Sequence, residues 1–361
     1  MTLFTPRTVA RRSAAGPIDL PPFPKGWYAV GFSSELSSGQ LRHGTYFGRE
    51  LIIYRTEEGR PVVMDAYCPH LGAHMGHGGC VRGETVVCPF HHFAFDPEGT
   101  CVATPYGKRL PNATAATVPV IERNGILLAW HHPRGAAPEW EIPLLAPEAF
   151  GPLKTKTWPV LRSHPQETTE NSVDLGHLTA VHGYDNVTVL RGLQTDGPRL
   201  HTKYAMSRRH FLPGMPPVDF EFEVQVYGLG YSYVTTHVPA HGLRGRHFVL
   251  PTPTDGHNIE LRAALSIDLP EPGRLNPALA LMPRAVARAL VARIMIREYA
   301  GDIEQDFSIW EHKKYVNPPR LAEGDGPISR YRRWCRQFYP LSVVSTEAST
   351  TPSSPRRTAV P

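Results

Sequence analysis

Cysteine is scarce in this chain: five thiols in 361 residues, at Cys68, Cys80, Cys88, Cys101 and Cys335. That excludes a small scaffold held together by a disulfide framework. Long apolar runs are also missing. No uncharged stretch reaches the roughly 18 residues that a membrane-spanning helix needs. The nearest candidate, 277–296, is interrupted by Arg284, Arg288 and Arg293, which fits an amphipathic helix. An N-terminal apolar segment of signal-peptide length is absent, so cytoplasmic placement is expected. Charge of one sign is not in excess either: 38 Lys and Arg face 33 Asp and Glu, a net +5. A charge this small does not by itself imply nucleic acid, and it leaves room for a basic patch that docks an acidic redox partner. Proline and glycine, by contrast, are plentiful at 37 and 31 residues, which favours strands and turns over a helical bundle.

Against this background two short motifs stand out. Cys68-Pro69-His70 is followed, after 17 residues, by Cys88-Pro89-Phe90-His91. Two thiolates and two imidazoles in this arrangement suit a Rieske [2Fe–2S] cluster. Cysteine sulfurs hold one iron and histidine nitrogens the other, which raises the potential above that of an all-cysteine cluster. A Cys2His2 zinc site is the competing reading, but its usual spacing differs. Gly72, Gly76, Gly78 and Gly79 would let the first loop close around the sulfurs. His74, His77 and His92 are out of register for ligation. The remaining thiols read as small buried hydrophobes, with a Cys80–Cys101 disulfide as the less favoured option.

Residues 1–22 read as a flexible tail and 23–135 as an all-β domain carrying the two loops. Leu51–Tyr54 and Pro61–Met64 are strands around the turn Glu57-Glu58-Gly59-Arg60, and Ile126–Trp130 closes the domain. Residues 136–340 read as a second, α+β domain. Its expected strands are Lys154–Val160, Asp219–Val226, Tyr231–Val238 and Ile259–Ile267. Its expected helices are Thr168–His182 and Leu279–Asp306. Residues 341–361 are rich in Ser, Thr, Pro and Ala and read as disordered.

A second constellation lies in this domain: Asn171, Asp174, His177 and His182. Two histidines plus a distant carboxylate would make a 2-His-1-carboxylate triad, which leaves open positions on a nonheme Fe(II). Asp302, Glu304 and Asp306 are the candidate carboxylates, and composition does not choose among them.

Taken together, these motifs resemble the alpha subunits of the Rieske nonheme iron oxygenases. The likeness runs from Gly26-Trp27-Tyr28 to Phe338-Tyr339. Cys68, His70, Cys88 and His91 match the cluster motif, and Asp174, His177 and His182 match the family's D-x2-H-x4-H segment. Asp306, in Asp306-Phe-Ser-Ile-Trp310, matches the late carboxylate, so the resemblance selects it as third iron ligand. The fold implied is a Rieske domain beside a helix-grip catalytic domain. A homotrimer is implied as well, in which Asp174 joins the cluster of one subunit to the iron of the next. It would accept hydrogen bonds from His177 and from the neighbour's cluster histidine, His70 or His91. The cofactors implied are the [2Fe–2S] cluster and mononuclear Fe(II). An NAD(P)H-dependent reductase, directly or through a ferredoxin, and O2 are the implied partners.

Within the family, the ending from Gln305 to Lys313, with Pro318, Asp325, Ile328, Arg332-Arg-Trp334 and Gln337-Phe-Tyr339, is similar to the cholesterol 7-desaturase and 3-ketosteroid 9α-hydroxylase group. That implies hydroxylation or desaturation of a large apolar ring, a sterol or steroid. An arylamine N-oxygenase resembling aminopyrrolnitrin oxygenase is the alternative, and a pure Rieske electron carrier is the reading from another class. Phe220, Phe222, Tyr227, Tyr231, Tyr233 and Met282 are candidate pocket walls, though each taken singly reads as core more readily than as wall.

Overall fold

The computed structural model describes residues 20–146, 150–208 and 217–340. The expected tails before residue 20 and after 340 lie outside them. Up to residue 131 the chain forms short strands in three antiparallel sheets. In chain order these are β1 (Gly26–Phe32), β2 (Leu41–Tyr46), β3 (Arg49–Arg55), β4 (Pro61–Asp65), β5 (Cys80–Arg82), β6 (Thr85–Val87), β7 (Ala94–Phe95), β8 (Cys101–Ala103), β9 (Thr117–Val118), β10 (Val120–Arg123) and β11 (Ile126–His131). The sheet orders are β1-β11-β10, β2-β3-β4-β9 and β5-β6-β7-β8. The unbroken apolar run in β3 follows from burial on both faces: Leu51, Ile52, Ile53 and Tyr54 are wholly inaccessible. The expected turn after β3 reverses the chain at Gly59, whose φ of +96° suits glycine.

The second part is one seven-stranded antiparallel sheet with helices. Its strands are β12 (Lys154–Arg162), β13 (Tyr184–Asp196), β14 (Arg199–Arg208), β15 (Val218–Tyr227), β16 (Tyr231–Val238), β17 (Leu243–Pro253) and β18 (Asn258–Asp268), in the order β12-β18-β17-β16-β15-β14-β13. The helices are α1 (Pro165–Glu170), α2 (Leu175–Ala180), α3 (Pro272–Leu275), α4 (Arg284–Gln305), α5 (Phe307–His312) and α6 (Ile328–Cys335). Small antiparallel sheets followed by a large sheet with helices are the expected α+β, helix-grip arrangement. Val291, Ala292 and Ile296 of α4 pack on Leu265 and Ile267 of β18. At the other end of the sheet, Tyr331, Trp334 and Phe338 pack on Val224, Val226 and Val173. No helix among the described residues is long and apolar enough to cross a membrane.

One expected element is different. The single helix over Thr168–His182 is two short helices, α1 and α2, with a turn between them. Asp174 is extended at φ −84°, ψ 103°, and its Oδ1 accepts the backbone N–H of His177 at 3.2 Å. An aspartate that caps a new helix start competes with helix continuation, which is why the segment breaks there. Strands β13, β14 and β17 were not expected. The register of β13 slips at three places against β14, which erases clean alternation, and two prolines disguise the end of β17.

Candidate metal centres

The two Cys/His motifs occupy turns beside the β5–β8 sheet. In the first, Cys68 N–H donates to Ala73 O at 2.8 Å and Gly72 N–H to Cys68 O at 2.9 Å. In the second, Cys88 N–H donates to Phe93 O at 2.9 Å and His92 N–H to Cys88 O at 3.1 Å. His92 turns the chain with a left-handed φ of +54° and faces solvent, apart from the ligand set. The turns bring the four residues together in two pairs. Cys68 and Cys88 are buried with their thiols in contact, and burial pushes the Cys68 thiol up to about 11. The rings of His70 and His91 stand edge to face at 4.7 Å, and His70 stacks on Phe93 at 4.3 Å. The Nδ1 atom of His91 is buried and has no hydrogen-bond partner. A sulfur pair, an imidazole pair and an orphaned ring nitrogen fit a [2Fe–2S] cluster with thiolates on one iron and imidazoles on the other.

The other thiols are free. Cys101 and Cys335 are buried as expected, but Cys80 is exposed: it faces outward on the three-residue strand β5, opposite in phase to buried Val81. His43, His74 and His77 gather beside the first turn, with ring nitrogens within 4.8 Å of one another. This group offers no thiolate.

The second centre forms where α1, α2 and the α4–α5 junction meet. Ligand atoms of His177, His182 and Asp306 all lie within 4.8 Å of one another. The two imidazoles are 5.0 Å apart at near right angles, and His182 Nε2 is 3.5 Å from Asp306 Oδ2. Asp306 is buried at the break between α4 and α5, where its carbonyl accepts Trp310 N–H at 2.9 Å. The other candidate carboxylates are engaged elsewhere. Asp302 accepts both arms of Arg208 at 2.8 and 2.9 Å, and Glu304 accepts Trp158 Nε1–H at 2.9 Å.

Two residues support this centre: Asn171, which belongs to the sequence constellation but was given no role there, and Gln305, which was not singled out as a site residue. Asn171 Nδ2 donates to Asp306 Oδ2 at 3.1 Å, and Gln305 Oε1 lies 3.0 Å from His182 Nδ1. Gln305 thereby fixes the imidazole so that Nε2 faces the carboxylate. Burial lowers the pKa of His177, outweighing the neighbouring Asp174 and Asp306. Burial also acts to lower His182, but its bonds to Asp306 and Gln305 reverse the balance and raise it. Two imidazoles and one buried carboxylate, with ligand atoms within 4.8 Å of one another, fit a divalent iron site with open positions.

Asp174 stands at the edge of this centre. The resemblance implied that its carboxylate accepts a hydrogen bond from the His177 ring. Instead, His177 Nδ1 donates to the Asp174 main-chain carbonyl at 2.6 Å, and Oδ1 is 3.9 Å from that nitrogen. The carboxylate takes the backbone N–H because Asp174 is the helix cap. About a third of its side chain (34%) remains accessible.

These groups open on a cavity of about 280 Å³ against one face of the sheet. Phe220, Phe222 and Val224 line it from β15, and Val234, Thr236 and Val238 from β16. Phe220 and Phe222 are walls as expected; Tyr227, Tyr231, Tyr233 and Met282 are not. The tyrosines have the opposite phase along their strands. Tyr231 and Tyr233 point to the other face and pack with Trp27, Trp130 and Phe248. Met282 lies in the segment before α4, 40% exposed. A larger hollow of about 990 Å³, lined by residues such as Arg60, Glu122 and Trp140, touches none of the candidate ligands.

Residues 26–115 match the Rieske [2Fe-2S] domain family, and residues 129–339 match the 3-Ketosteroid 9alpha-hydroxylase C-terminal domain family. The chain is 32% identical over 355 residues to cholesterol 7-desaturase of Hemicentrotus pulcherrimus, covering 92% of this chain and 72% of that protein. It is 30% identical over 327 residues to the probable 3-ketosteroid-9-alpha-monooxygenase oxygenase component of Rhodococcus rhodochrous, covering 88% and 80%. Among solved structures, dicamba monooxygenase bound to dicamba superposes with a TM-score of 0.61 at 19% identity, covering 87% of this chain and 96% of that one. The QL mutant of NdmA of Pseudomonas putida CBB5 with caffeine gives 0.66 at 16% identity, covering 86% and 89%. The structural likenesses establish the fold; the two matched domains and the sequence relatives establish that this chain belongs to the Rieske nonheme iron oxygenase alpha subunits, in the group of the cholesterol 7-desaturases and 3-ketosteroid 9α-hydroxylases.

Proposed function

We propose that this chain is the oxygenase component that hydroxylates or desaturates a sterol or steroid, using O2 and electrons from a separate reductase. The observation that carries the reading is the convergence of His177, His182 and Asp306 on the wall of an apolar cavity. The relatives named for cholesterol and 3-ketosteroids favour a fused apolar ring over an arylamine.

In this reading Cys68, Cys88, His70 and His91 hold the cluster, and His177, His182 and Asp306 hold the iron. Bound there, these groups would supply single-electron relay and dioxygen activation respectively. The chain's own contribution is positioning. Asn171 and Gln305 keep Asp306 and His182 in ligating orientation. Phe220, Phe222, Val224 and Val234 shed water from the substrate and present an apolar wall to it. The accessible part of the Asp174 carboxylate would receive a cluster histidine, His70 or His91, from a neighbouring copy in a homotrimer. An NAD(P)H-dependent reductase, directly or through a ferredoxin, completes the chain of electron donors. Free thiols, including exposed Cys80, suit a cytoplasmic setting.

The test is product mass spectrometry under ¹⁸O₂, with a surrogate reductase and a panel of sterols, 3-ketosteroids and arylamines. Conversion of a sterol or ketosteroid is expected, and label in the product separates hydroxylation from desaturation. Conversion of arylamines alone would overturn the reading.

A further inference from the structure

Helix α4 is apolar on two sides. Its inner side is covered: Ala287, Val291, Ala292 and Ile296 are buried, and the last three pack on β18. Its outer side is bare. Val286, Leu290 and Ile294 follow one another at intervals of four residues, so they form one row along the helix. They are 54%, 42% and 53% accessible, and Leu281, in the turn that leads into the helix, is 89% accessible. The sequence pattern points to an amphipathic helix here, with one apolar face; the structure shows two. A helix that is apolar all round is normally covered all round, and a continuous bare apolar row marks a contact surface.

The charge around the row indicates what covers it. Residues 281–297 contain four arginines and no acidic residue. Arg284 is engaged by Asp268 at 3.5 Å, and Arg288 is half-buried beside Gly151. Arg293 and Arg297 are exposed. At about 100° per residue both stand within roughly 60° of Leu290 around the helix, so they flank the row. A second copy of this face laid against the row would set arginine against arginine, with no carboxylate before Glu298 to compensate. An anionic lipid surface answers both features. The row enters the acyl boundary, and the arginine stems lie along it while their guanidinium groups reach the headgroup phosphates.

The same helix walls the cavity at the iron centre. Met295, Glu298 and Asp302 line it. Glu298 is also exposed, which places the cavity rim one turn beyond Ile294 of the bare row. We infer that the outer face of α4 docks this chain on an anionic lipid surface. The inference deepens the steroid reading, on which it rests only for the apolarity of the substrate: docking sets the cavity rim beside the phase in which a fused apolar ring dissolves. The docking itself needs no substrate, so it is tested apart from that reading.

The experiment is flotation of the iron-loaded, cluster-containing full chain with sterol-free vesicles, either phosphatidylcholine alone or equal parts phosphatidylcholine and phosphatidylglycerol. Cluster spectrum, melting temperature and sedimentation velocity are recorded for every variant. Wild type is expected to float with the anionic vesicles and to be partly released by high salt. Joint replacement Val286→Ser, Leu290→Ser and Ile294→Ser is expected to weaken binding more than tenfold. The pair Arg293→Gln and Arg297→Gln is expected to weaken it about 30-fold on anionic vesicles only, while Arg293→Lys with Arg297→Lys keeps it. Docking with no conversion of any sterol or ketosteroid would leave this inference standing and remove the steroid reading. Three results would overturn the inference: no flotation of wild type, flotation undiminished by the serine replacements, or a serine variant that sediments as a smaller species while wild type does not float, which makes the row an interface between copies. Should the serine variant fail to fold, the glutamine pair decides, and its floating like wild type overturns the inference.

Discussion

Asn171 Nδ2 donates to Asp306 Oδ2 at 3.1 Å across a sequence separation of 135 residues. The bond joins the turn after α1 to the α4–α5 junction, and it acts on the same oxygen that faces His182 Nε2 at 3.5 Å. Removing the amide lets the carboxylate rotate away from the two imidazoles. Supporting hydrogen bonds of this kind are worth about 10–100-fold in metal affinity or activity. Asn171→Ala is expected to lose iron about that much more readily in a chelator challenge, with the cluster absorbance unchanged. Iron retention equal to wild type would show that Asp306 is held by its backbone alone.

Asp174 has two separable roles, one structural and one, as proposed above, electronic. Its Oδ1 caps α2 by accepting His177 N–H. Replacing such a cap by alanine costs about 0.5–2 kcal/mol, whereas asparagine caps about equally well. Asp174→Ala is therefore expected to melt earlier and Asp174→Asn to melt like wild type. If the carboxylate joins the two metal centres across subunits, both variants oxidise a reduced cluster slowly in single turnover, although both metals stay bound. Rapid turnover in Asp174→Asn would restrict this residue to capping.

How much of this was legible in the sequence depends on how local the signal is. The Cys68–His70 and Cys88–His91 turns could be read directly, because a cluster needs four donors on two tight turns and the spacing shows both. His177 and His182 were legible only as a pair. The choice of Asp306 over Asp302 and Glu304 came from family likeness, since all three are acidic positions near the end of one helix. The structure supplies the physical reason: Arg208 and Trp158 engage the other two. Cavity walls were half legible. Alternation along β15 and β16 was visible, but not which phase faced the iron, so Tyr231 and Tyr233 stood as candidate walls although both are core residues. The Asp174 cap was hidden because His177 and His182 invite a single continuous helix.

Gly326 holds the iron-binding turn from below. It sits at φ +85°, and an added Cβ would lie 2.2 Å from the Val173 carbonyl. Next to it, Asp325 O accepts Leu175 N–H at 3.3 Å. Gly324 is a natural control, with φ +100° and open space where its Cβ would be. Both Gly→Ala variants bear the strain of a left-handed residue, about 1–3 kcal/mol. Only Gly326→Ala also pushes the 173–175 segment that carries the Asp174 cap. It is expected to melt several degrees below Gly324→Ala and to bind iron more weakly. Matching melting curves for the two variants would mean that the contact relaxes at no cost.

Acid stability is expected to depend on His164. This residue is buried at the start of α1, where Nδ1 accepts Gln166 N–H at 3.0 Å and Nε2 donates to Pro21 O at 3.0 Å. Both ring nitrogens are satisfied only in the neutral form, and burial lowers its pKa from 6.5 to about 4, with the Pro21 bond opposing weakly. The ring stacks on Tyr339, which offers no charge to hold a proton. Between those two values the unfolded chain binds the proton and the folded chain does not. Stability therefore falls as pH drops from about 6.5 towards 4, and levels off below. A tenfold difference in proton affinity between the folded and unfolded chain corresponds to about 1.4 kcal/mol, so this residue contributes at most about 3 kcal/mol. His131 and His247, also held near 4 by burial, act in the same window and direction. Asparagine at 164 can still cap α1 but does not titrate. Denaturant unfolding at pH 7 and pH 5 is expected to show a smaller loss of stability for His164→Asn than for wild type. The remaining slope belongs to the other histidines that burial holds below their ordinary value, His131 and His247 foremost, and an unchanged slope would mean that the His164 site opens to water before the domain unfolds.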